Sequence, residues 1–270
     1  MITFLFWNTN EGPLADAVAA IAKAEAVDIL ILSECAIEPR DLLKILNRNV
    51  PEFHFAPGQN RGISMFTRFP GRYFPEVNIG SRRLSVRRLA LPPIEDVLVA
   101  AVNLPSKLYW SDESQMFECA NLSNAIVEEE RKAGHSRTIL VGDLNMNPFE
   151  KGVIAAAGLH AVPTRRIAER IKRTVQGKSY LFFYNPMWAH FGDASDRPAG
   201  TYYYERAEHV NYFWNNFDQV LIRPQLMDRF RSGQLRILDN AGETSLSRAD
   251  GTPNKGNASD HFPLLFALDL

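Results

Sequence analysis

Asp143 and Asn145 stand two residues apart at the end of an apolar run, in the segment TILVGDLNMNPFE at 138–150. An extended chain alternates its side chains, so the carboxylate and the carboxamide share one face while Leu144 takes the other. The same residue types recur wherever an apolar run ends or begins. Asn8 and Asn10 follow the first run, Glu34 closes the second, Asp218 opens FDQVLI, and Asp260 and His261 precede the last. Singly, each has an ordinary account, since Asn and Asp favour turns and a lone histidine is commonly structural. One convergent site accounts for all of them together. Carboxylates and amides without cysteine make a hard oxygen site suited to Mg2+ or Mn2+ rather than zinc. A histidine beside an aspartate can bind phosphate or move a proton.

Composition narrows the classes. The 270 residues are 46% hydrophobic, enough for a substantial core in one large domain or two small ones. A formal net charge of -1 argues against coating nucleic acid by bulk electrostatics, though a local basic cleft remains compatible with it. Cys35 and Cys119 are the only cysteines, too few for a disulfide framework or a thiolate zinc site. The start, MITFLFWNTN, lacks a basic region and its apolar run is short, and no later stretch reaches spanning length. The expectation is a cytoplasmic protein without membrane attachment.

The elements that must position these residues follow from apolar spacing. Residues 1–7 read as a buried strand ending at Asn8, 13–26 as a helix through Leu14, Val18 and Ile21, and 27–34 as a second buried strand. Residues 40–48 form a short helix, 62–70 a strand and turn, and 95–106 a central strand. The longest helix is 111–133, with Met116, Cys119, Ala120, Ile126 and Val127 toward the core. Strands follow at 137–143, 217–224 and 261–270, with a loop-rich aromatic tract from 180 to 217. Alternating early and strand-rich later, the chain reads as layered α/β packing. We expect one domain over 1–270 with an aromatic-rich insertion or loop region around 174–216.

In order, FWNTN, ILSE, VGDLN and SDH resemble the motifs of the endonuclease/exonuclease/phosphatase (DNase I-like) superfamily, over 2–270. The resemblance implies a four-layer α/β/β/α sandwich: two mixed β-sheets flanked by helices, with the site at one edge. It implies Glu34 as the main metal carboxylate with Asn8 beside it, and Asn10 where some members carry an aspartate near the phosphate. It implies Asp143 as the group that orients or deprotonates the attacking water, and Asn145 as the amide that holds the scissile phosphate. His261 would contact that phosphate, Asp218 would buttress the histidine, and Asp260 would support the histidine or a metal. One position departs: Asn103 stands where many relatives carry histidine or tyrosine. An asparagine can donate to phosphate but cannot act as a general acid. Leaving-group help must then come from the metal, from His261, or from a leaving group that needs little. Ser106 keeps a hydroxyl where relatives bind phosphate.

Two basic clusters bear on the substrate. SRRLSVRR (81–88) reads as a strand with Arg82, Arg83, Arg87 and Arg88 on an exposed face, and RRIAERIKR (165–173) as a helix with Arg166, Arg170 and Arg173 on one side. Solvated faces are the ordinary account; flanking a cleft, either cluster would track a polyanionic backbone. The aromatic tract has core packing as its ordinary role and nucleobase stacking as its alternative. The first reading is a divalent-metal-dependent phosphodiesterase, a nuclease acting on DNA or RNA. The second is an enzyme for a small phosphoester such as an inositol phosphate or lipid headgroup. The third is a binding domain without catalysis, which the intact set Glu34, Asp143, Asn145, Asp260 and His261 argues against.

Overall fold

The computed structural model describes residues 1–77, 81–192 and 198–270. The apolar runs assemble into two large mixed sheets. In the first, Ile2–Asn8 lies parallel to Ile29–Ser33 and antiparallel to Leu264–Leu268; Ile63–Thr67 and His54–Ala56 extend one side, and Arg236–Ile237 the other. In the second, Val97–Asn103 lies parallel to Thr138–Asp143. Leu84–Leu89 and Glu76–Val77 flank one side, and Asp218–Ile222, Phe183–Tyr184 and Ala161–Val162 the other. The two central parallel pairs each need a crossover, supplied by the helices Ala15–Ala24 and Asp112–Ala133 respectively.

Alternation along the second sheet sorts its side chains into two layers. Val99, Ala101, Ile139, Val141, Val220 and Ile222 share a core with Phe4, Phe6, Ile29 and Ile31 of the first sheet. Leu98, Ala100, Val102, Leu140 and Leu221 instead meet Cys119, Leu122 and Ile126 of the long helix. Strands buried on both faces read as unbroken apolar runs, which is why the sequence marks them so clearly. The result is an α/β sandwich with helices outside its sheets. No helix among the described residues is long and apolar enough to cross a membrane.

The register brings the polar strand ends to one edge. Asn103, Asp143 and Asp218 stand level across three neighbouring strands. In the other sheet Asn8 stands level with Ser33, and Glu34 comes next. Gly142 makes the approach possible: a Cβ there would lie 1.9 Å from the Val102 carbonyl oxygen, and its φ is +151°. No side chain fits that gap.

Three expectations change. The long helix is Asp112–Ala133, capped by Ser111 and ended by left-handed Gly134, but its buried row runs Gln115, Cys119, Leu122, Ile126, Glu129 and Glu130. Val127 is 40% exposed and Met116 only half-buried. Glu130 is drawn inward by Arg223, 2.8 Å away, and a pattern of apolar residues cannot register a buried ion pair. Residues 165–173 do not form one helix. The helix stops at Ala168, Ile171 turns left-handed (φ +70°), and Lys172–Val175 pairs with Lys178–Leu181. Gln176 and Gly177 are both left-handed, as a two-residue hairpin turn requires, so Arg166, Arg170 and Arg173 share no helical side. Third, Arg87 is buried rather than exposed. Its guanidinium donates to the carbonyls of Phe74, Ala56 and Pro57, tying together the edges of the two sheets.

Candidate active site

Asp143 is the hub. One carboxylate oxygen accepts from the Asn145 backbone N–H at 2.7 Å; the other accepts from the side-chain amides of Asn8 and Asn145, each at 3.1 Å. Asn145 also donates to the Leu104 carbonyl at 2.7 Å, so its amide nitrogen is committed within the protein and it orients Asp143. Beside the hub, Asp218 is fully buried and lies 2.8 Å from His261 Nδ1. Ser259 donates to the Asn8 carbonyl and accepts from the His261 backbone N–H, fastening the SDH segment to the first strand.

These groups shift one another's protonation. Burial pushes the Asp143 carboxyl up to about 7; the positive charge of His261 opposes the rise and the negative charge of Asp218 adds to it. Burial works against a charged His261, but Asp218, Asp143 and Asp260 overcome it and raise the imidazole to about 10. The site therefore holds a protonated histidine beside a carboxyl that titrates near neutrality.

Glu34 approaches from the other sheet in a strained backbone. Its φ is +48°, and the conformation is fixed through its carbonyl, which accepts from Thr9 Oγ1 and the Glu11 N–H, each at 2.8 Å. Asn10 (φ +45°) and Asn145 (φ +49°) are left-handed too. Asn103 Nδ2 donates to Glu34 Oε1 at 3.3 Å, the only hydrogen bond to that carboxylate among the described residues. Asn103 Oδ1 is buried without a partner. This lightly bonded carboxylate near amide oxygens fits a hard divalent cation. Asp143, Asp218 and His261 also offer ligand atoms within 4.8 Å of one another. There, however, Asp218 and His261 Nδ1 are already engaged with each other.

A cleft of about 1240 Å³ opens over these residues. Asn8, Asn10, Glu34, Asn103, Ser106, Asp143, Asn145, Asp260 and His261 all line it, while Asp218 stands behind His261. Asp260 is paired with Lys255 at 2.8 Å. None of the seven arginines singled out from sequence is among the lining residues. Arg83 stacks on Trp110 and pairs with Glu118, and Arg88 pairs with Asp96. Arg173 sits on a hairpin leading to Tyr184, which pairs with Ile222, four residues and roughly 13 Å along the strand from Asp218. The sequence reading also missed contributors. Tyr202 packs its ring 4.7 Å from that of His261, and Thr9 and Ser259 hold the backbones of Glu34 and His261. Ser259 and Thr9 lie inside the quoted motifs; Tyr202 carried no signal beyond its place in an aromatic tract.

Two level carboxylates, a paired histidine and an oxygen-lined cleft thus gather at the edge of a two-sheet sandwich. The profile of the Endonuclease/Exonuclease/phosphatase family matches residues 5–261, and the chain belongs to that family of phosphoester hydrolases. No curated protein matches the chain by sequence. Among solved structures, it resembles the endonuclease domain of TRAS1, a telomere-specific non-LTR retrotransposon, at 14% identity and a TM-score of 0.52, covering 100% of this chain and 99% of that one. It also resembles D. rerio TDP2 complexed with a single-strand DNA product (12%, 0.57, 100% and 99%). A third is ANGEL2, a 2′,3′-cyclic phosphatase (15%, 0.61, 100% and 96%). At these identities the likeness speaks for the fold.

Proposed function

We propose that the chain is a divalent-cation-assisted phosphodiesterase, one domain over 1–270, that cleaves nucleic-acid strands. The carrying observation is the buried assembly of Asp143, Asp218 and His261 beneath the cleft. Asp143, aimed by Asn8 and Asn145, takes the proton of a water entering the cleft. His261, with Nδ1 held by Asp218, offers Nε2 as a charged donor to a phosphoryl oxygen. Asn103 cannot deliver a proton and contributes a neutral hydrogen bond beside Glu34. Glu34 and Asn8 would hold Mg2+ or Mn2+, which when bound supplies Lewis-acid neutralisation of charge on the phosphate. Asp260, engaged by Lys255, is left to electrostatic support of His261.

The size of the cleft favours a polymer, since pockets for small molecules span roughly 300–1,000 Å³. Two free thiols fit a reducing, cytoplasmic setting. The test is incubation with labelled single- and double-stranded DNA and RNA in Mg2+, Mn2+ or EDTA. Cleavage that stops in EDTA and in Glu34→Gln is expected. Full activity in EDTA would sink the mechanism, and turnover of inositol phosphates faster than any nucleic acid would sink the substrate.

A further inference from the structure

The segment YYYER at 202–206 carries its own period of two. It begins in the short strand Tyr202–Tyr203, paired with Trp214–Asn215, and the alternation continues past the strand's end. Tyr203 and Glu205 take one side, where the phenol donates to the carboxylate at 2.9 Å and the ring packs on Trp214. Tyr202, Tyr204 and Arg206 take the other, and all three line the cleft. In space they form a ladder that starts at the reacting histidine. Ring centres are 4.7 Å apart from His261 to Tyr202 and 6.4 Å from Tyr202 to Tyr204, whose planes differ by 20°. The Arg206 guanidinium lies 5.3 Å from the centre of the Tyr204 ring.

Core packing does not explain the outer rungs. Tyr204 is half-buried, Arg206 is exposed, and no ion pair engages Arg206 among the described residues. Of the cleft's other side-chain cations, Lys107 pairs with Glu150 and Lys255 with Asp260, while exposed Lys151 has no ion pair among the described residues and no aromatic ring beneath it there. Arg206 is thus a free positive charge held over an aromatic face, two residues out from a ring that leads back to His261. The cleft lining also includes Tyr212, 58% exposed and packed with its ring centre 5.3 Å from that of Phe149.

The geometry points to a subsite for an unpaired nucleic-acid strand, in which Tyr204 stacks the nucleoside next to the scissile phosphate and Arg206 takes the following phosphate. It rests on the nuclease reading above and names that substrate's form. An aromatic face stacks any base, and a guanidinium grips a phosphate through charge-assisted hydrogen bonds. To reach the phosphate, Arg206 has only to swing off the ring, which frees that face for the base. In a duplex the base faces are spent on one another, so a ladder of this kind selects single strands.

The experiment compares wild type with Tyr204→Leu, Tyr204→Phe and Arg206→Gln. The substrates are a labelled single-stranded oligonucleotide, its duplex, and bis-p-nitrophenyl phosphate. Tyr204→Leu should raise KM for the single strand roughly tenfold with kcat near wild type, and Tyr204→Phe should stay within about twofold. Arg206→Gln should reduce the slope of log affinity against log salt by about 0.7. The minimal ester should be cleaved equally by all four. Arg206 is exposed, so its variant carries the test even if Tyr204→Leu folds poorly. Wild type that cuts single strands while KM and salt slope are unchanged in the variants would overturn the subsite alone, as would a preference for duplex. Wild type that cuts small phosphoesters but no nucleic acid would overturn the nuclease reading, and the subsite with it.

Discussion

Two ion pairs are buried among the described residues, and they are built to opposite ends. Arg223 and Glu130 meet at 2.8 Å with side chains only 1% and 4% exposed. The guanidinium forks onto both Glu130 oxygens, donates to the Leu181 and Phe182 carbonyls, and lies 3.8 Å over the Phe183 ring. His261 and Asp218 meet at the same distance, and Asp218 is as deeply buried. That pair is left unfinished. Asp218 Oδ1 has no partner, His261 borders the cleft, and a third ionisable group, Asp143, stands level with Asp218 on the next strand. A buried pair whose hydrogen bonds are complete holds the structure together. One with an orphaned acceptor beside a further buried carboxyl is, under the proposed function, the pair that exchanges protons with a ligand.

The largest break in that contrast comes from Asp143→Asn. Removing the proposed base should lower kcat by roughly 10²–10⁴-fold while the fold survives. It should also stabilise the protein at alkaline pH, because it deletes a carboxylate that burial makes costly to ionise. Both shifted groups are raised by the fold, so both contribute stability through a bound proton. The Asp143 share is complete below its ordinary 3.8 and is lost as pH climbs through about 7. The His261 share is complete below 6.5 and is lost through about 10. Thermal melts across pH should therefore fall in wild type over both windows and in Asp143→Asn over the upper one only. The same slope below pH 7 in both proteins would show that the fold does not raise Asp143.

Arg223→Met attacks the finished pair. Leaving Glu130 buried and alone should cost about 3–5 kcal/mol, read as a lower melting temperature with kcat unchanged. Adding Glu130→Leu should restore most of the loss. If the double variant is no better than the single, the pair's charge was not the issue and its packing was.

Asp218→Asn attacks the unfinished one and should cost less stability and more activity, on the order of 10²-fold in kcat. Its diagnostic is the pH–rate profile. Wild type should rise through about 7 as Asp143 ionises and fall through about 10 as His261 loses its proton. Without the Asp218 charge the alkaline limb should move to lower pH, and the acid limb should shift down less, since burial remains the main cause of the raised Asp143. An unmoved alkaline limb would remove His261 from the reaction. Smallest of all, Asn103→Ala should cost roughly 1–3 kcal/mol of transition-state stabilisation, since it deletes one hydrogen bond, that to the Glu34 carboxylate. A loss matching that of Asp143→Asn would give Asn103 a role beyond holding Glu34.

By itself the sequence determined the strands and the set of groups at their ends. Runs such as 27–34 and 137–143 are apolar because both faces of their sheets are covered, and the period of two puts Asp143 and Asn145 on one side of the chain without any fold in hand. Only the tertiary structure decided which polar groups meet and what each is free to do. Registers between strands far apart in sequence set Asn103, Asp143 and Asp218 level, and the crossing of two sheets delivers Glu34 and Asn8 to them. Those contacts commit the amide of Asn145 to Asp143 and Leu104, bury Arg87 against three carbonyls, and pull Glu130 inward to Arg223. They also carry the basic 165–173 stretch away from the cleft and leave Arg206, an unremarked charge in YYYER, beside it. The physical reason is that periodicity reports whether a face is buried or wet, a property of neighbours along the chain. Hydrogen bonds and charge pairs are satisfied by whichever partner the fold brings within about 3 Å, and local sequence contains no record of that partner.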